Sequence, residues 1–192
     1  MEGLNFFFLC GPHCSGKTTI LKQLYREGII SIRGSEIGKE LFYQRNLTTA
    51  IQGAEYEFEV TQLELERDLT YFQKEGFIGV ESWHPGNLAY AMVRNPDVVP
   101  QLIYKMKNSP LLASASGIRL HVASETIYKR TQTFREERAW AAEFYSRIEN
   151  NLDLCLEQLD LNERIISIDA NRDLNTVMEN VRQVIINLFQ SN

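Results

Sequence analysis

Residues 6 to 24 read FFFLCGPHCSGKTTILKQL: an apolar run, a loop carrying two glycines and a proline, and immediately a helix-forming segment. The loop fits G-x-x-x-x-G-K-[ST] in full, as Gly11, Pro12, His13, Cys14, Ser15, Gly16, Lys17 and Thr18, with Thr19 following. The pattern carries meaning because a strand signal precedes it and a helix signal follows. Glycines let the backbone curl so that successive N–H groups point at one centre, and the helix that starts near Lys17 adds its positive end. Lys17 then reaches the β and γ phosphates of a nucleoside triphosphate, and the Thr18 hydroxyl holds Mg²⁺. An ordinary glycine turn would not need a lysine and a threonine at these two positions.

The rest of the chain repeats the alternation. Short apolar runs at Leu4 to Cys10, Ile29 to Ile32, Phe77 to Val80, Ile118 to Val122 and Arg164 to Ile168 read as buried strands. Helical periodicity lies between them: Phe58, Leu65, Leu69 and Phe72; Trp140, Phe144, Ile148, Leu152, Cys155 and Leu159; Val177, Val181, Val184 and Leu188. The last two stripes read as core-facing, and the first supports a helix that leads to a stop at Gly76. Pro96 and Pro100 should interrupt the helical pattern that begins near Asn87. Parallel strands need long, usually helical crossovers, so the expected class is α/β with helices on both faces of a parallel sheet. With 192 residues, 44% of them apolar, and no repeat or linker, residues 1–192 read as one domain.

Bulk properties exclude other classes. A net charge of −5 offers no general attraction to nucleic acid or an anionic membrane, so phosphate must be bound by local geometry. Phe6 to Cys10 is too short to span a bilayer and no cationic residue precedes it, which argues against a signal peptide or anchor. Cys10, Cys14 and Cys155 are an odd set without metal-ligand spacing, which suits a reducing, cytoplasmic setting. Neither D-x-x-G nor N-K-x-D occurs, so a GTPase switch is disfavoured. A cysteine-phosphatase loop would need an arginine six residues after Cys14, where Ile20 stands.

Further stretches carry a resemblance. GKTT at the loop, EIGKEL from Glu36 to Leu41, ESWHPGNLAYA from Glu81 to Ala91 and IISIDANRDLNTVMENV from Ile165 to Val181 follow one another in the order of the thymidylate kinases. The chain resembles that family and, more distantly, the deoxynucleoside kinases. The resemblance implies a P-loop NTPase fold with five parallel strands in the order 2-3-1-4-5, ATP and Mg²⁺ as cofactors, a homodimer, and transfer of the γ-phosphoryl group to a nucleoside monophosphate. It departs from the family where Ser82 replaces an arginine, Glu81 stands for the strand-three acid, and His13 occupies the place of a loop acid. These departures concern groups that face the acceptor. They leave open a neutral nucleoside as acceptor, and a non-kinase ATPase or nucleotide-binding protein.

Residue roles follow partly from chemistry and partly from that resemblance. Phosphoryl transfer needs cations around the moving group and alignment of its partners. YKRTQTFREER, Tyr128 to Arg138, lies where the resembled kinases carry an arginine-rich lid, here around residues 126–140. Arg130 and Arg135 are the expected catalytic cations beside Lys17. Glu81, at the C-terminal edge of the sheet where doubly wound folds place ligands, is expected to orient Mg²⁺ with Thr18 or to hold the acceptor. Arg33, Glu36, Trp83 and Tyr90 are the expected acceptor contacts. By the resemblance, Ala170 lies near the donor adenine.

Overall fold

The computed structural model describes residues 5–131 and 135–189. Five parallel strands, β1 (Asn5–Cys10), β2 (Ile32–Gly34), β3 (Phe77–Glu81), β4 (Ser116–His121) and β5 (Ile165–Asp169), form one sheet in the order β2-β3-β1-β4-β5. The helices are α1 (Lys17–Arg26), α2 (Ile37–Gln44), α3 (Ala54–Phe72), α4 (Trp83–Arg94), α5 (Val99–Met106), α6 (Ser124–Arg130), α7 (Arg135–Gln158) and α8 (Leu174–Phe189). The strand order is the one implied by the sequence resemblance. Among the described residues no helix is long and apolar enough to cross a membrane.

The central strand explains the apolar run. Phe6, Phe8 and Cys10 point to one face, against α4, α5 and α7; Phe7 and Leu9 point to the other, against α1 and α8. All five are fully buried, as expected for a parallel strand covered on both sides. Each large side chain so buried contributes about 1.5–3 kcal/mol. The helices end the strands on one edge, and the connections after β1, β2, β3 and β5 converge there.

Two expectations need correction. The second strand runs over Ile32–Gly34, later than the apolar residues suggested. Gly28, at φ +71°, reverses the chain after α1, and the amides of Ile29 and Ile30 bond back to Leu24 O, so both isoleucines finish the helix instead of pairing. β5 is not a buried strand: as the sheet edge it leaves Ile166 and Ser167 exposed. The helix expected at Phe58 to Phe72 is α3, and it buries its polar face. Leu69 and Phe72 are 57% and 55% exposed, whereas Glu57, Thr61, Glu64 and Asp68 are buried beside Tyr56 and Val60. The stripe on α7 does face the core except for exposed Trp140, and on α8 Val177 and Val181 are buried while the Leu188 side chain lies outside the described residues.

α3 lays its polar face on α4, and three contacts run along the seam. Glu57 binds Arg94 and Asn95, Glu64 binds Asn87, and Asp68 binds His84 and Trp83. Residues 57, 64 and 68 share one face of α3, and 94, 87 and 84 share one face of α4, so the pairing follows from helical periodicity. His84 is therefore helical and fully buried. Pro96 ends the pattern after α4, and Pro100 sits in the first turn of α5, where a missing N–H costs nothing.

Candidate active site

The loop between β1 and α1 is curled by backbone that side chains rarely adopt. Gly11 has φ +154° and Gly16 φ +97°, with Cys14 also left-handed at φ 67°. A Cβ on Gly11 would stand 2.7 Å from Leu120 O, so only glycine fits there. Among the described residues the N–H groups of Gly16, Lys17 and Thr18 have no acceptor, as expected for the first turn of a helix, and they stand beside its positive end. The Lys17 ammonium is buried and donates to Gly11 O and Pro12 O, each at 2.8 Å, and to Ser15 Oγ at 3.4 Å. This is a concave, positively polarised site of the kind that holds phosphate.

Thr18 and Glu81 are brought together from α1 and the end of β3, with Thr18 Oγ1 donating to Glu81 Oε2 at 2.6 Å. Register explains the meeting, because Leu9 and Glu81 are partners across β1 and β3 and the Ser82 amide bonds to Leu9 O at 2.8 Å. A hydroxyl and a carboxylate that touch at the rim of a phosphate cradle are an all-oxygen donor pair. That suits Mg²⁺, which takes one or two protein oxygens and fills its octahedron with water and phosphate. Among the described residues no cluster of three or more His, Cys, Asp or Glu stands ready for a different ion.

Beside the cradle, Cys14, Gly16, Thr19, Arg130, Ala170, Leu174 and Val177 line a groove of about 290 Å³. Arg130 donates to Ala170 O at 2.7 Å, Arg172 O at 3.0 Å and Asn171 O at 3.4 Å. Its guanidinium is thus committed to the β5–α8 turn, which Asp169 shapes by accepting from the Asn171 amide at 3.0 Å. Arg130 also lines the cleft that contains Lys17 and Thr18, so its guanidinium borders both the groove and the cradle. Arg138 is also occupied, donating to Tyr128 O and Lys129 O at the end of α6, and Lys129 pairs with Glu125. The Arg135 side chain lies outside the described residues, as does part of the 126–140 span. Burial pushes the Cys14 thiol up from its ordinary range, which keeps it protonated and unsuited to act as a nucleophile.

On the opposite side, a cleft of about 180 Å³ is walled by Phe42, Tyr43, Tyr56, Tyr90, Phe144 and Tyr145, with Asn87 and Arg94 at its floor. It adjoins the cleft of about 310 Å³ that contains Lys17 and Thr18, and His13, Glu36 and Lys39 belong to both. These three residues mark the junction. Glu36 stands at the start of α2, where its carbonyl accepts from the Glu40 amide at 3.1 Å, and its carboxylate makes no hydrogen bond among the described residues. His13 stacks on Tyr145 with centroids 4.8 Å apart. Crowding by protein, then Lys17 and Lys39, lower its pKa to about 4, so it brings no charge to the junction at neutral pH. Burial raises Tyr145 to about 12 and Tyr90 well above its ordinary value, so both phenols stay protonated.

Of the expected acceptor contacts, Glu36 and Tyr90 line this cleft. Trp83 does not: it is fully buried, packed edge-on to Phe6 and tilted against Phe8 with centroids 5.0 Å apart, and its indole N–H is on Asp68, so its face is unavailable to a ligand. Arg33 lines neither cleft. Arg94, Asn87, Lys39 and Tyr145 were missed. Arg94 and Asn87 had a signal, the polar stripe on α4 that complements the acidic stripe on α3.

No protein-family model matches the chain, and no curated protein matches it in sequence. Solved structures do. NadR protein in complex with NR superposes with TM-score 0.74 at 13% identity, covering 98% of this chain and 52% of that one. This chain therefore spans about half the length of NadR. Thymidylate kinase from Ehrlichia chaffeensis gives 0.66 at 13% identity over 94% and 98% of the two chains. Deoxyadenosine kinase from M. mycoides gives 0.65 at 14% identity over 95% and 100%. Identities this low establish the architecture alone: the chain has the fold of the P-loop kinases.

Proposed function

We propose that this chain is a phosphotransferase that uses Mg·ATP and delivers the γ-phosphoryl group to a hydroxyl of a nucleoside-type acceptor. One observation carries the reading: a phosphate cradle and an aromatic cleft meet end to end at Glu36, Lys39 and His13. In that arrangement the donor's polyphosphate lies against the amides of residues 16 to 18 and the Lys17 ammonium, its base lies in the Arg130 groove, and the acceptor ring lies between tyrosines. Magnesium held by Thr18 and Glu81 would neutralise charge on the β and γ oxygens. Lys17 adds a second positive charge and Lys39 a third. The Glu36 carboxylate accepts the hydrogen of the acceptor hydroxyl and holds its oxygen in line with the phosphorus. The free cysteines Cys10, Cys14 and Cys155 and the ATP requirement suit the cytoplasm.

The cleft favours a neutral acceptor over a nucleoside monophosphate. Its two cations are Lys39 and Arg94, and Arg94 is bound through Nε to Glu57 at 2.8 Å and through Nη2 at 3.1 Å. A phosphate dianion would meet one free ammonium and the Glu36 carboxylate, whereas a sugar hydroxyl meets an acceptor ready for it. Two of the solved structures above are named as a thymidylate kinase and a deoxyadenosine kinase, which supports a nucleoside-type acceptor without choosing between the two.

The test is a panel of nucleosides and monophosphates with Mg·ATP, following ADP and phosphorylated acceptor together. Equal amounts of both products with at least one nucleoside are expected; ADP release that no acceptor alters would contradict the reading. Glu36→Gln should lower kcat by about 10²- to 10⁴-fold while ATP binding stays unchanged. Arg130→Ala should raise KM for ATP about tenfold with a smaller fall in kcat, since its guanidinium organises the flank of the cradle. A kcat loss larger than the KM change would instead put Arg130 at the transferred group.

A further inference from the structure

Of the loop residues Gly11 to Thr18, only His13 lines both the cleft that contains Lys17 and the aromatic cleft. It is exposed, and its ring nitrogens make no hydrogen bond among the described residues. Its ring lies on Tyr145 with centroids 4.8 Å and planes 22° apart. Stacking fixes the plane of the imidazole and leaves its nitrogens unpaired. The charges around it lean positive: Lys17 on α1, Lys39 on α2 and Arg130 on α6 line the same cleft, and Glu36 on α2 is the one carboxylate in either cleft among the described residues. Arg94 of α4 lines the far floor, bound to Glu57 of α3. The phenols of Tyr43, Tyr56, Tyr90 and Tyr145 and the Cys14 thiol complete the titratable groups of the two clefts.

In the empty site His13 is uncharged, because crowding by protein and then Lys17 and Lys39 hold its pKa at about 4. A triphosphate reverses that field. Its oxygens neutralise the lysines and bring negative charge to the junction, and an opposite charge in contact favours the charged form of a titratable group. The Tyr145 face beneath the ring also suits a cation. The described lid arginines leave room for one, since Arg130 has both terminal nitrogens on the carbonyls of residues 170 to 172 and Arg138 is bound at the end of α6.

We infer that His13 takes up a proton as Mg·ATP binds and donates an N–H bond to the γ-phosphoryl group as it crosses from one cleft to the other. The inference rests on the proposal that donor and acceptor meet at this junction, and it adds a catalytic residue and a proton to that reaction. The proton comes from solvent when the triphosphate enters. During transfer the acceptor oxygen bonds to phosphorus, the bond from phosphorus to the ADP oxygen breaks, the hydroxyl proton passes to Glu36, and His13 keeps its own until the products leave. His13 holds its proton more tightly with Mg·ATP bound, so Mg·ATP binds more tightly as pH falls from the pKa of the filled site toward the value of about 4 in the empty one.

Calorimetry in two buffers of different ionisation heat reads the protons taken up. At about pH 6 the wild type should take up about half a proton or more per Mg·ATP, less per Mg·ADP, which lacks the γ group, and His13→Gln should take up close to none. Wild-type affinity for Mg·ATP should rise about threefold or more between about pH 7.5 and about pH 6, and that of His13→Gln should stay flat. In the wild type kcat should fall on the alkaline side; His13→Gln keeps an N–H donor with no proton to gain, and should lose that limb and about tenfold or more in kcat. Binding with no uptake, equal uptake with Mg·ATP and Mg·ADP, or uptake that persists in His13→Gln would overturn the inference. Transfer to a nucleoside without proton uptake would remove this role and leave the kinase reading. Proton uptake with no transfer to any acceptor would overturn the kinase reading and leave His13 as a group that binds the γ-phosphate; protein that binds no Mg·ATP would overturn both.

Discussion

Lys17→Ala protein is expected to stay folded and to lose phosphoryl transfer by about a thousandfold. The ammonium is buried at the centre of the loop, 2.8 Å from two of its carbonyls, and it shares the cleft with Lys39 and Arg130. Removing a preorganised positive group from a site where negative charge gathers costs about 10²- to 10³-fold for a single hydrogen-bond donor, and a full charge costs at least as much. The loop itself should survive, because Ser15 N bonds to Pro12 O and the backbone shape is set by Gly11, Cys14 and Gly16. Single-turnover kinetics at saturating ATP separate the two effects. A variant with normal kcat and weakened ATP binding alone would reduce Lys17 to a binding group.

Asp68→Ala is expected to destabilise the protein by about 3–5 kcal/mol, the largest stability loss anticipated for a single change in this chain. Asp68 is fully buried and accepts from Trp83 Nε1 at 3.0 Å, His84 Nε2 at 2.8 Å and Ser109 Oγ at 2.5 Å. Truncation strands three polar groups in a core that water does not reach. It also releases the turn that aims Glu81. Ser82 and Trp83 both have positive φ, 60° and 52°, a conformation that costs about 1–3 kcal/mol per residue and persists only where the surroundings hold it. The indole bond to Asp68 and the packing on Phe6 and Phe8 supply that hold. Urea unfolding should show the full loss for Asp68→Ala and a smaller one for Asp68→Asn, which keeps one carbonyl acceptor. A loss below about 1 kcal/mol in Asp68→Ala would show that the network is not an anchor.

The donor half of the site was legible in the sequence because it is contiguous. Eight consecutive residues, Gly11 to Thr18, with a strand before and a helix after, specify one backbone shape. The partner Glu81 could be named because a strand end in a parallel sheet falls on a known edge. The acceptor half was harder, since its floor is made where two helices cross. Apolar periodicity marks α3 as a helix but not its buried face: Leu69 and Phe72 are exposed, and the helix buries Glu57, Glu64 and Asp68. Burial follows the polar face because α4 brings matching polar groups, Arg94, Asn87 and His84, at the same spacing. Two facing helices with complementary polar stripes are a pattern that no single helix displays. Trp83 failed for a related reason: aromatic residues near a site were read as ligand faces, while a left-handed turn sends this one into the core. For Arg130 the sequence offers only a charge near the lid, and the three carbonyls of residues 170 to 172 show what its guanidinium binds.

Titrating Mg·ATP into the folded protein in a calorimeter, with Lys17→Ala alongside, addresses the phosphate cradle most directly. Saturable binding at one site per chain, weakened when magnesium is chelated and further in the variant, is the predicted result. Well-folded protein that takes up no Mg·ATP, or takes it up equally well without Lys17, would contradict it.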